Sequence, residues 1–465
     1  MSSTGQFRIE KDTLGEVKVP AYAYYGSQTQ RAADNFQISG ITLPRSFIRA
    51  QGIIKASAAA ANMKLGELPD NIGRVIVQAA EEVIEGKWDH QFIVDVYQAG
   101  AGTSQNMNVN EIIGNRATEL LGSSLDPSSN DFRVHPHNHV NMSQSTNDTF
   151  PSALHIATVE NISEQLLPAI ERLVKGLSVK SEEFNSIIKS GRTHLHDAVP
   201  MKLGQEFAGY TDTIRFVYEN IKASLDPFYE IGLGGNAIGT VINTHQDYPQ
   251  TVIHEINSRI NYPFRQPVEM FSFMQNRNAA LRMMAVLKEL AVHLIKITSD
   301  LRLLSSGPRT GLAEISLPPV QPGSTIMPGK VNPAILEMVH MICCRIIGNE
   351  AAMAAAGTAG QLEINVMMPF MAYSLLESIE LLSNGIHTLV SKCVYGIEAK
   401  EENCRNWMMS SLSFVTGLSP SMGYDMASQI GMQADEQNKT IKEVLEELGL
   451  YSQEAAEALD PKKFV

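Results

Sequence analysis

The residues NAALRMMAVLKELAVHLIKITSDLRLL, 278–304, decide how the chain is read. Leu287, Leu290, Ala291, Leu294, Ile297 and Leu301 recur at three- and four-residue steps, which places them on one face of an α-helix. Three further segments carry this period. The first follows Pro151 through SALHIATVENISEQLLPAIERLVKGLSVKSEEF, with Asn147 and Asp148 as caps and Pro151 in the first turn. The second follows Pro333 through AILEMVHMICCRIIGNEAAMAAA, and the third runs through FMAYSLLESIELLSNGI to a stop at Gly385. Several such helices within about 250 residues predict a mainly α fold built on an elongated bundle. Strand-like alternation is confined to the first ~50 residues, in FRIEKD and EVKVPAYAYYG. The expected division is an N-terminal mixed, mostly helical domain over 1–145, a central helical-bundle domain over 146–395 and a small C-terminal helical domain over 396–465.

Composition narrows the function. Apolar residues make up 44% of the 465 and charged residues 19%, the balance of a globular chain with a large core. Against 37 Lys and Arg stand 50 Asp and Glu, a formal net charge of −13. A nucleic acid or an anionic membrane surface needs a basic face, so neither is an expected partner. If the substrate is an anion, its site must be locally positive or rich in N–H donors. The opening MSSTGQFRIEKDTLG has no apolar run of a secretory signal and none of the Arg-rich, acid-poor character of a transit peptide. Cys343, Cys344, Cys393 and Cys404 show no metal-ligand spacing, and the adjacent pair is expected as buried free thiols. These features point to a cytoplasmic protein.

Four islands of small polar residues punctuate the apolar background: AGAGTSQNMNVNE from Ala99, HPHNHVNMSQSTND over 135–148, SGRTHLHDAVP over 190–200 and QPGSTIMPGKVNP over 321–333. Each joins Ser, Thr or Asn to Gly or Pro near an expected helix end. Free helix N-terminal N–H groups with hydroxyls and amides form anion-binding surfaces. One such island is most simply a capped helix end, but four together suggest a site.

The last island resembles the signature of the fumarase/aspartase superfamily, Gly-Ser-Ser-x-Met-Pro-x-Lys-x-Asn-Pro, and the resemblance extends over essentially the whole chain. It implies a three-domain lyase in which a homotetramer builds a central twenty-helix bundle, with each active site drawn from three subunits. Within the superfamily, DHQFIVDVYQAGAGTSQNMNVNE, SQSTND with Thr146, Gln321 and GQLEINVMMP are similar to aspartases (aspartate ammonia-lyases). VHPHNHVN and GTVINTH lean towards class II fumarases, in which the region matching His135 and Asn138 forms a secondary anion site. The balance of segments implies an aspartate ammonia-lyase, with class II fumarate hydratase as the alternative.

Either activity removes a proton from the carbon next to a carboxylate, forms an aci-carboxylate carrying extra negative charge, and releases ammonia or water to leave fumarate. Donors aimed at that charge supply most of the catalysis. The resemblance implies that Thr103, Ser145 and Thr146 hold the carboxylate that becomes the aci form, and that Asn147 holds the amino group. It implies that Thr193, His194, Lys330 and Asn332 hold the other carboxylate of a small dicarboxylate substrate, and that Ser324 is the base, with His194 and Lys330 beside it in the catalytic set. A serine hydroxyl needs activation, and Gly323 and Gly329 allow backbone N–H groups to approach it, with Lys330 six residues on. Thr325 departs from the repeated serine and adds a β-branch beside the base. No cofactor or metal is required by this chemistry.

Other motifs read more simply. His135, His137 and His139 alternate as metal ligands on a strand would, but lack a carboxylate or Cys partner and are expected in a polar loop. Met367 and Met368 are expected in the core. GLGGNAIGT lacks the strand-then-helix context of a dinucleotide site and is expected as a turn. A non-catalytic structural role is known on this scaffold, but the retention of Thr103, Ser145, His194, Ser324 and Lys330 argues for an enzyme.

Overall fold

The computed structural model describes residues 7–126 and 129–465. Phe7–Asp12 (β1) and Gly15–Pro20 (β2) pair antiparallel, as their alternation predicts. Six helices follow: Ser27–Asn35 (α1), Arg45–Lys64 (α2), Asp70–Ile84 (α3), Thr103–Leu120 (α4), Thr146–Asn161 (α5) and Leu167–Glu183 (α6). A hairpin of Ile188–Thr193 (β3) and His196–Lys202 (β4) then precedes Leu203–Ala223 (α7), Tyr248–Ile260 (α8), Met270–Gln275 (α9) and Asn278–Leu304 (α10). Beyond Ile315–Ser316 (β5) lie Ala334–Gly357 (α11), the short pair Gly360–Gln361 (β6) and Ile364–Asn365 (β7), and Met368–Lys392 (α12). Glu398–Ala399 (β8) pairs with β5, and five short helices fill the chain from Glu401 to Ala458.

The described residues pack as two compact units. One holds the chain up to Leu167 with Asn220–Lys288 and Arg345–Leu381; the other holds Pro168–Glu219, Glu289–Cys344 and Leu382–Val465. In the first, Val19, Ile48, Ile76, Val83, Ile112 and Ile113 form a core shared by β2, α2, α3 and α4. In the second, Phe414, Leu418, Ile430, Val444 and Leu445 gather beside the C-terminus.

The mainly α expectation holds, and α10 carries it. Leu287, Leu290, Ala291, Leu294, Ile297 and Leu301 are all buried. Each buried large aliphatic side chain contributes about 1.5–3 kcal/mol relative to exposure, enough to order a helix that propensity alone would leave marginal. Long helices run antiparallel to one another. Lys288 on α10 pairs with Glu350 on α11 at 2.7 Å, and Ser299 lies 3.3 Å from His340 further along the same two helices. On α11 and α12, Arg345 pairs with Glu377 at 3.0 Å.

Several local expectations are corrected. The cap of α5 is Ser145, not Asn147 or Asp148; Asp148 instead reaches back from the third helical position to the Ser145 N–H, completing a capping box. Pro151 lies inside α5, past its first turn. Gly385 does not stop α12, which continues to Lys392. Its missing side chain makes room for α11, since a Cβ there would come within 2.6 Å of Ile342 Cδ1. Strands also occur well beyond the first 50 residues, and the island around Thr193 is the β3–β4 hairpin rather than a loop at a helix end. Cys343 is buried but Cys344 is exposed, one step round the helix. Met368 is buried while Met367 is 40% exposed.

Candidate active site

In the first unit, two helix N-termini carry the predicted hydroxyls. Thr103 is the first residue of α4 and exposed; Thr146 is the first residue of α5, directly after the Ser145 cap. The Ser145 Oγ accepts the Asn147 N–H at 3.3 Å, so its own hydrogen is free to donate outward. Asn147 gives an amide N–H to the Ala237 carbonyl at 2.8 Å, which leaves its Oδ1 as an acceptor.

Behind these residues lies a buried polar layer. The Asp148 carboxylate accepts N–H groups from Ser145 at 3.0 Å, Asn236 at 2.8 Å and Gly234 at 3.2 Å, which gives GLGGNAIGT its purpose as a turn folded onto the start of α5. Burial pushes this carboxyl up to about 7, against the pull of those N–H groups and of the Lys55 charge. Lys55, 1% exposed on α2, gives its three N–H bonds to Asn106 Oδ1 at 2.9 Å, Asn141 Oδ1 at 3.0 Å and Gln144 Oε1 at 2.9 Å. Burial pulls its ammonium down to about 7. Asn106 Nδ2 in turn donates to Thr146 Oγ1 at 3.1 Å, joining α4 to α5 one turn below Thr103.

In the second unit, Thr193 ends β3 and His194 opens the two-residue turn to β4. His194 and Leu195 have φ of 56° and 61°, the left-handed pair that a type I′ turn requires. Neither is Gly or Asn, so the tip holds strain of order 1–2 kcal/mol per residue. Its base is fixed by charge. Lys189 lies 3.1 Å from both Glu206 and Glu314, and Arg192 lies 2.9 Å from Glu314, which is fully buried.

The segment 321–333 is irregular and closes on itself. The Gly323 N–H donates to the Lys330 carbonyl at 2.7 Å, and Asn332 Nδ2 donates to the Gly323 carbonyl at 2.7 Å. A Cβ on Gly323 would meet Asn332 N at 2.6 Å, so only glycine fits. Inside this ring the Ser324 Oγ accepts N–H bonds from Met327 at 2.9 Å and Ile326 at 3.2 Å. Two backbone dipoles thus converge on the oxygen expected to act as base, and such donors favour its deprotonated form.

The structure therefore brings Ser145, Thr146 and Asn147 together, links them through Asn106 to the helix of Thr103, and groups Ser324, Lys330 and Asn332 in one ring. The hairpin tip with Thr193 and His194 shares no hydrogen bond with that ring among the described residues. Pro136–Val140, which includes His137 and His139, forms a π-helical turn capped by His135: His135 Nδ1 accepts the N–H groups of His137 and Asn138. Sequence reading missed Lys55, Asn106, Asn141, Gln144, Asp148 and Glu314. The available signal was a single lysine in the apolar, Ala-rich run QGIIKASAAAAN, where an unpaired charge demands partners.

A helical frame with hydroxyls at helix N-termini suits lyase chemistry, and a family described as Lyase matches residues 15–348, with one described as Fumarase C C-terminus matching 414–465. The chain is 43% identical over 439 residues to the aspartate ammonia-lyase of Bacillus subtilis, covering 94% of this chain and 92% of that protein. It is also 43% identical over 459 residues to the class II fumarate hydratase of Nitrosomonas europaea, covering 98% and 99%. Six further relatives at 41–44% identity carry the name fumarate hydratase. The crystal structure of the class II fumarase from Schistosoma mansoni superposes with a TM-score of 0.94 at 35% identity, over 98% of this chain and 99% of that one. This chain belongs to the fumarase/aspartase superfamily of lyases.

Proposed function

We propose that the protein interconverts fumarate and a 2-substituted succinate by β-elimination through an aci-carboxylate. The observation that carries this is the Ser324 oxygen under two backbone N–H groups, in a ring that also holds Lys330 and Asn332. Ser324 Oγ removes a proton from the carbon next to one carboxylate, and the electrons move into that carboxylate. Thr103, Ser145 and Thr146 donate to the resulting dianionic group. Lys330, Asn332, Thr193 and His194 hold the second carboxylate, a role suited to a point charge flanked by neutral donors. The electron pair then returns to form the C=C bond of fumarate as the bond to the leaving group on the adjacent carbon breaks past the Asn147 amide oxygen; a hydroxyl takes up a proton from solvent and departs as water, whereas an ammonium departs as ammonia.

Water is the leaving group we assign, which makes the protein a fumarate hydratase; the names of most of the relatives compared support this. Ammonia is the second reading. It is favoured by Thr146, Gln321, GQLEINVMMP and the Bacillus subtilis relative, and by an Asn147 acceptor that suits an ammonium. Purified protein given L-malate or L-aspartate separately tests the assignment through the near-ultraviolet absorbance of fumarate. Fumarate from malate alone supports the hydratase; fumarate from aspartate alone replaces it with the ammonia-lyase. Fumarate from neither overturns the elimination itself.

We also infer that copies of the chain share their sites in a homotetramer, working without a cofactor in the cytoplasm. In support of the sharing, the short cleft beside Asn332, about 10 Å³, is too small for a dicarboxylate and is lined by neither Ser324 nor Lys330.

A further inference from the structure

We propose that Lys55 and Asn106 are positioning residues that set Thr146 as a hydrogen-bond donor towards the aci-carboxylate. The inference rests on the proposed elimination, and on one asymmetry of hydrogen-bond chemistry. An amide side chain can turn its oxygen or its nitrogen towards a neighbour, but an ammonium, the form Lys55 holds below about pH 7, can only donate. Lys55 Nζ lies 2.9 Å from the Asn106 amide, so the oxygen of that amide must face the lysine. The nitrogen must then face the other way, where it meets Thr146 Oγ1 at 3.1 Å and Asn141 Oδ1 at 3.1 Å.

Thr146 Oγ1 therefore receives a hydrogen from inside the protein and cannot give its own to Asn106. The Thr146 hydrogen turns away from the interior, the direction in which developing negative charge is to be held. Asn141 completes the fixture: its Oδ1 accepts from Lys55, Asn106 and Asn110, and its amide donates to the Gln144 carbonyl, just ahead of the Ser145 cap. A buried cation without a contacting carboxylate thus does electrostatic positioning at a distance, through the orientation of a neutral amide. It reaches the substrate only through Thr146.

The discriminating variant is Asn106→Asp. It keeps the size of the side chain and gives Lys55 a carboxylate, but presents an acceptor to Thr146, whose hydrogen then turns inward. The probe is the nitronate of 3-nitropropanoate, which carries the charge of the aci-carboxylate whichever leaving group the enzyme uses. Succinate serves as the ground-state comparison. Calorimetry on the intact protein should show wild type preferring the nitronate, and Asn106→Asp and Thr146→Val each lowering that preference about 100-fold, the scale of losing one oxyanion donor. Succinate affinity, which loses the same contact without the extra charge, should fall far less than nitronate affinity, and Tm should move little. The double variant should be no worse than either single one, because both act on the same hydrogen. Multiplying losses in the double variant, or an undiminished nitronate preference in Asn106→Asp, overturns the inference while leaving the elimination standing. A wild type without any nitronate preference overturns the elimination and this inference together.

Discussion

Replacing Ser324 by alanine removes the oxygen on which the Ile326 and Met327 N–H groups converge and leaves the rest of the ring intact. A lost general base costs about 10²–10⁴ in rate. Steady-state kinetics on Ser324→Ala should show kcat falling on that scale with KM nearly unchanged. Gly323→Ala acts differently, because its Cβ would force Asn332 and Lys330 apart. There KM should rise along with the fall in kcat, since the group proposed to hold the second carboxylate moves too. Ser324 was legible in the sequence because the chemistry of a breaker loop is local: prolines, glycines, one hydroxyl and one lysine are all in view. Lys55 was not, because its meaning comes from Asn106, Asn141 and Gln144, which lie 51 to 89 positions away.

The start of α5 depends on protonation, because Asp148 closes its capping box. Burial raises the Asp148 carboxyl from an ordinary 3.8 to about 7, so between these values the folded chain holds a proton that the unfolded chain has released. The stability contributed by the protonated form is full below about pH 4 and is lost as pH rises towards 7. Lys55 runs the other way. Its folded value is depressed from 10.5 to about 7, so the unfolded chain holds the extra proton and stability rises between pH 7 and 10. Thermal melts across pH should show the Tm advantage of wild type over Asp148→Asn shrinking from pH 4 to 7 and changing little above. The long helices were readable from period alone, because burial of one face is a property of the element itself. The β3–β4 hairpin was not, since its turn uses His194 and Leu195 at positive φ where glycine or asparagine would have announced it.

For the whole molecule, the proposed sharing of sites predicts complementation. Thr146→Val and Ser324→Ala should each be nearly inactive alone, yet unfolding and refolding them together should restore activity, because some mixed assemblies contain a site with both residues native. Sedimentation should give about four times the 51.0 kDa chain mass. A monomeric mass, or no recovery on mixing, would assign the whole site to one chain. The fold class and the polar islands were visible in one dimension. The partners that hold each island in place were not, since those are decided by packing. The charged cluster beneath the His194 hairpin has a consequence for how this protein can diverge. Lys189, Arg192, Glu206 and Glu314 sum to zero charge, and Glu314 touches both cations. Losing one partner of a buried ion pair costs about 3–5 kcal/mol, a large part of a domain's stability. Each single step away from this quartet is thus a descent into instability, whatever lies beyond it. Lineages of this protein should either keep all four residues or replace oppositely charged members together, leaving paired changes where most of the surface drifts one position at a time.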